Sequence, residues 1–69
     1  MHLTIETEKE EDNRWIAEVI EIPGCLVYGE TEYQAIAKVE ALALRVLADR
    51  LEHCEVVAGP MTVSFTAVV

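Results

Sequence analysis

The chain is poor in cations: five Lys and Arg stand against 13 Asp and Glu over 69 residues, a formal charge of −8. Proteins that hold nucleic acid directly neutralise backbone phosphates with clusters of Lys and Arg. No such cluster occurs here, so direct nucleic-acid binding is not expected. Cysteine is equally scarce, with only Cys25 and Cys54, and no segment resembles a secretory signal peptide. A disulfide framework is therefore not expected, and both thiols read as reduced, small apolar fillers. No apolar run approaches the roughly 20 residues that a membrane-spanning helix requires. The expectation is a soluble, cytoplasmic protein with no membrane partner.

Residues that could carry catalysis are few. His2, His53, Cys25 and Cys54 show no zinc-ligand spacing, and no motif sets a histidine against Cys25 as a nucleophile would need. Glu6, Glu18 and Glu21 are the strand carboxylates, but Glu18 and Glu21 have opposite parity, which argues against convergence on a metal ion. Gly24 and Gly29 are accounted for by turns rather than by a phosphate-binding loop. The chain is read as a non-enzyme with no cofactor and no metal.

What is present is strong patterning. His2 to Glu8 alternates as a half-buried strand, with Leu3, Ile5 and Thr7 on one face and Thr4, Glu6 and Glu8 on the other. The apolar-free stretch Lys9–Asn13 predicts a hairpin loop. Residues 14–22 read as a second strand, with Trp15, Ala17 and Val19 opposed to Ile16, Glu18 and Ile20. In Ile22-Pro23-Gly24-Cys25, proline presets φ and glycine supplies the positive φ of a type II turn. Cys25–Tyr28 then forms a third strand ended by Gly29, placing Trp15 near the middle of a three-stranded meander.

A helix is predicted from Thr31, whose hydroxyl caps the first turn while Gln34 reaches back in a capping box. Gln34, Lys38, Arg45, Asp49 and Glu52 form a polar stripe. Ile36, Val39, Ala43, Val46 and Leu47 form an apolar sector that Tyr33, Ala37, Leu44, Ala48 and Leu51 widen to roughly 200°, more than one sheet needs. Glu40 lies inside that arc, where an unpaired buried carboxylate would cost several kcal/mol, so it must find a partner or an edge. Periodicity fades after Leu51, and a loop through Val56, Val57 and Ala58 reaches Gly59-Pro60. Met61 to Val69 alternates as a last strand, with Met61, Val63, Phe65, Ala67 and Val69 expected beneath the helix. The fold class predicted is α+β, in the order β-β-β-α-β, with one long helix on a four-stranded, mainly antiparallel sheet.

Trp15, Ala17, Val19, Glu21, Ile22, Pro23, Gly24 and Cys25, followed by Gly29, Thr31 and Ala35, resemble the recurring pattern of the HicB-like antitoxin family. The likeness covers roughly residues 3–51. It departs at Ile20, where the family often has a proline, and at Tyr33-Gln34, where acidic residues are common. The resemblance implies a single toxin-binding domain, 1–69, related in fold to ribonuclease H, and a small basic HicA-type toxin that cleaves messenger RNA as its partner. No C-terminal DNA-binding module is expected after the last strand.

An acidic surface suits such a basic partner, whose encounter it accelerates and orients. The partner-binding residues expected are Glu6, Ile16, Glu18 and Ile20. A chain this short is only marginally able to stabilise itself with one core, so a homo-oligomer is expected through Leu44, Ala48 and Leu51, with the edge of the last strand as a second candidate. Pro23, Gly24, Gly29, Thr31 and Gln34 are assigned to turns and cap. Two other readings are a free-standing homo-oligomeric scaffold or small-ligand binder, and, ranked last, a metal-dependent nuclease remnant.

Overall fold

In the computed structural model of the chain, which describes residues 1–53, 59 and 61–68, four strands and one helix follow the predicted order. Strand β1 (His2–Lys9) pairs antiparallel with β2 (Trp15–Val19), Ile5 lying opposite Val19 and Thr7 opposite Ala17. Between them Asn13 adopts φ 69°, a left-handed conformation that asparagine tolerates better than most residues. The Asp12 carboxylate accepts from the Arg14 backbone N–H at 3.1 Å and from its Nε at 2.7 Å. Those bonds hold the Asp12 pKa below the usual carboxylate range. Trp15 opens β2 opposite Lys9 and Gly29, so it marks an end of the strand rather than the middle of the meander.

The second strand is shorter than residues 14–22 predicted. It stops at Val19, and two consecutive turns follow: the Ile22 N–H donates to Val19 O at 3.2 Å, and the Cys25 N–H to Ile22 O at 3.1 Å. The second is the expected Pro-Gly turn, with Gly24 at φ 81°. The double turn has a packing consequence. In a continuing strand Ile22 would share the face of Ile16 and Ile20, but the turns rotate it inward until it is buried. Outside the ladder, the Glu21 carboxylate accepts the Thr4 backbone N–H at 2.8 Å, a charge-assisted bond that lowers the Glu21 pKa.

Strand β3 (Leu26–Gly29) returns antiparallel to β2 and leads into helix α1 (Glu32–Glu52). Thr31 caps the helix by accepting the Gln34 N–H at 3.0 Å. The Gln34 side chain accepts from the Glu30 N–H at 2.6 Å, one residue earlier than the capping box predicts. Strand β4 (Ser64–Val68) lies parallel to β1, giving the sheet order β3-β2-β1-β4. The predicted loop at Cys54–Ala58, Pro60 and the last residue, Val69, lie outside the described residues.

The core is made of small and branched side chains: Leu3, Ile5, Ala17, Val19, Ile22 and Cys25 from the sheet side meet Ala35, Val39, Ala43 and Leu47 of the helix. At Gly29 the strand passes close to the helix. A Cβ there would stand 2.6 Å from the backbone nitrogen of Ala35, so only glycine lets β3 run against the first helical turn. The helix covers β3, β2 and, less fully, β1. Strand β4 lies at the uncovered edge, and the expectation that its whole apolar face packs beneath the helix is corrected. Val63 and Phe65 are half-buried against the core, whereas Met61 and Ala67 are exposed. Among the described residues, no helix is long and apolar enough to cross a membrane.

Candidate functional site

With the helix on one side of the sheet, the other side has no covering layer among the described residues. Period-2 alternation decides what it presents. One row crosses all four strands: Leu26 of β3 is opposite Glu18 of β2, Glu18 is opposite Glu6 of β1, and Glu6 is opposite Val68 of β4. The next row places Ile16 between Glu8 and Tyr28. Ile20 follows Glu18 on the same side just beyond the end of β2. Leu26, Tyr28, Ile20 and Val68 are 39%, 43%, 48% and 48% exposed, so the surface combines carboxylates with exposed apolar groups. Glu6, Glu8, Ile16, Glu18, Leu26 and Val68 border a shallow hollow of about 290 Å³.

Among the described residues, no ion pair compensates the charge on this surface. The ion pairs among the described residues are Arg14–Asp12 at 2.7 Å and His53–Asp49 at 3.3 Å, and neither involves Glu6, Glu8 or Glu18. Arg14, at the Tyr28 end, is held by Asp12 and lies over the Tyr28 ring at 4.5 Å from its centroid, and Lys38 Nζ donates to the Tyr28 carbonyl at 3.3 Å. Like charges directly across a ladder destabilise a sheet. The Glu6–Glu18 pair therefore opposes folding slightly and favours a cation from outside.

Of the expected partner-binding residues, Glu6, Ile16 and Glu18 meet in the hollow, and Ile20 flanks it on the same side. Glu8, Leu26, Tyr28 and Val68 lie beyond that expected set, although extending the alternation through β3 and β4 points to them. The expected oligomer residues lie elsewhere, on the helix: Leu44 and Ala48 are exposed and Leu51 is half-buried. Pro23 and Gly24 lie in the turn closed by the Cys25 N–H on Ile22 O, and Thr31 caps the helix; Gly29 instead ends β3 against Ala35, and the Gln34 side chain bonds the Glu30 N–H rather than that of Thr31.

Among the described residues, Cys25 and the two histidines lie apart from one another. Cys25 is buried, and burial raises its thiol pKa, the opposite of what activates a nucleophilic thiolate. Its Sγ lies 3.9 Å from Val39 O, in keeping with a core filler. His2 Nδ1 is 2.9 Å from Ser64 Oγ, and His53 Nδ1 is 2.8 Å from Asp49 O at the helix end. Among the described residues, no three His, Cys, Asp or Glu side chains are grouped as a metal site would need. No family model matches the chain, and comparison with curated proteins and with solved structures likewise gives no match.

Proposed function

We propose that this chain is a non-catalytic protein-binding module whose uncovered sheet face receives a basic protein. The observation that carries the reading is the row Val68–Glu6–Glu18–Leu26, in which two opposed carboxylates, neither in an ion pair among the described residues, sit between exposed apolar side chains. Apolar anchors that lose water on docking supply most of the affinity at protein interfaces, whereas surrounding charges mainly set association rate and partner choice. The formal charge of −8 extends the same preference over the whole molecule.

The resemblance of Trp15–Cys25 and Gly29–Ala35 to HicB-like antitoxins narrows the partner to a small basic, mRNA-cleaving toxin that this domain covers. Intracellular action follows from that reading. The test is to titrate the purified chain against the product of the neighbouring reading frame, if that frame encodes a short basic protein, with RNA cleavage as readout. A stoichiometric complex that stops cleavage supports the antitoxin reading. An absent complex and undiminished cleavage remove it and leave the oligomeric scaffold.

A further inference from the structure

The buried residues of α1, Ala35, Val39, Ala43 and Leu47, recur at every fourth position, with Ile36, Leu42 and Val46 packed beside them. A second apolar line occupies another side of the same helix: Ala37, Ala41, Leu44, Ala48 and Leu51, separated by four, three, four and three residues. That alternation has the spacing of a two-stranded coiled-coil seam, with Ala41 and Ala48 at one repeating core position and Ala37, Leu44 and Leu51 at the other. Helical phase sets this line roughly 140° around the axis from the sheet-facing one. The chain itself leaves it open: Ala37 and Ala48 are exposed, Leu44 is 49% exposed, and Ala41 and Leu51 are only half-buried.

Charges of opposite sign flank the line. Glu40 stands on one side, and Lys38 and Arg45 stand on the other. Glu40 is half-buried beside apolar neighbours, and neither it nor Arg45 belongs to an ion pair among the described residues. When two such helices run parallel, the flanking position of Glu40 in one faces the position five residues later in the other. That position is Arg45. Two-fold symmetry makes the contact twice. An antiparallel pairing instead turns the Lys38 and Arg45 flanks toward each other, setting like charges together.

We propose that this helix face joins two copies of the chain as a parallel seam centred on Leu44, with Glu40 of each copy paired to Arg45 of the other. The helix is already held against its own sheet, so docking carries no cost of forming it. Alanine at three of the five seam positions allows the backbones to approach closely. The rim pairs fix orientation rather than supplying most of the affinity. Both uncovered sheet faces stay outside the seam, so the dimer offers two partner surfaces. The inference is independent of what those surfaces bind.

Sedimentation equilibrium of the full chain, combined with charge reversal and cross-linking, tests it. The wild type dimerises at micromolar concentration, and Leu44→Glu is monomeric while its circular dichroism spectrum stays helical. Arg45→Glu weakens the dimer by about tenfold, because two attractive contacts each become repulsive, and the double variant Glu40→Arg/Arg45→Glu recovers it. Leu44→Cys cross-links to its own copy under mild oxidation well beyond the wild type, since in a parallel pair that position faces itself. A monomeric wild type overturns the proposal, as does a dimer indifferent to Leu44→Glu. Failure of the charge swap to restore association, or cross-linking of Leu44→Cys no greater than the wild type, overturns the parallel seam.

Discussion

Glu6 and Glu18 face each other across the β1–β2 ladder, both exposed and neither in an ion pair among the described residues. A sheet selected for stability alone would set opposite charges there, since cross-strand pairs contribute about 0.2–1 kcal/mol. Glu18→Lys is therefore expected to raise the melting temperature by a few degrees, on a scale of about 4–8 °C per kcal/mol for a domain of this size. The same change should slow association with a basic partner, and the slowing should shrink as salt is added. Thermal denaturation and stopped-flow association at two salt concentrations check both halves.

The two structural glycines should respond differently. Gly24 has positive φ, and a side chain added there would meet open space, so Gly24→Val costs of order 1 kcal/mol or more through backbone strain alone. Gly29→Ala drives its new carbon into the backbone of Ala35, and overpacking of this kind costs about 1–3 kcal/mol. Both variants should melt below the wild type. A Gly29→Ala protein with unchanged melting temperature would contradict the close approach of β3 to α1.

Thr31→Ala removes the oxygen that accepts the Gln34 N–H and is expected to cost about 1 kcal/mol. Thr31→Ser should retain most of the stability, because serine presents the same oxygen. Urea denaturation of the two variants distinguishes capping from methyl packing.

Glu21 provides a pH test. Its carboxylate is held below the ordinary range chiefly by the Thr4 backbone N–H. A lowered folded value means that the stabilisation is complete above the unfolded glutamate pKa, about 4.3. It is lost as pH falls through the folded value. Acidification also relieves repulsion in a chain of formal charge −8, so the difference between variants is the informative quantity. Between about pH 5 and 3, the stability of Glu21→Gln relative to the wild type should rise, since glutamine does not titrate. A constant difference across that window would contradict the bond.

Much of the fold was legible because local chemistry determines it. Alternation separated the faces of β1 and β2, Pro23-Gly24 marked a turn, and Thr31 marked the start of the helix. What escaped depends on distant contacts. The inward turn of Ile22 arises from two successive turns, and parity alone assigns it to the wrong face. The partial cover of β4 follows from the path of α1 over β3 and β2, which no local pattern encodes. On the candidate surface, Glu6, Ile16 and Glu18 could be grouped from alternation within two strands. Alternation also puts Leu26, Tyr28 and Val68 on one face of β3 and β4, but which carboxylates they stand beside is set by the register of those strands, which long-range pairing fixes.

The central claim is that the uncovered sheet face takes a basic protein, and a chemical-shift titration of isotope-labelled chain with the basic product of the neighbouring reading frame tests it most directly. The account predicts saturable shifts concentrated at Glu6, Ile16, Glu18, Ile20 and Leu26, and their loss in an Ile16→Asp variant that remains folded. Saturable shifts that leave this face untouched and cluster on α1, or no binding by the wild type, would contradict it.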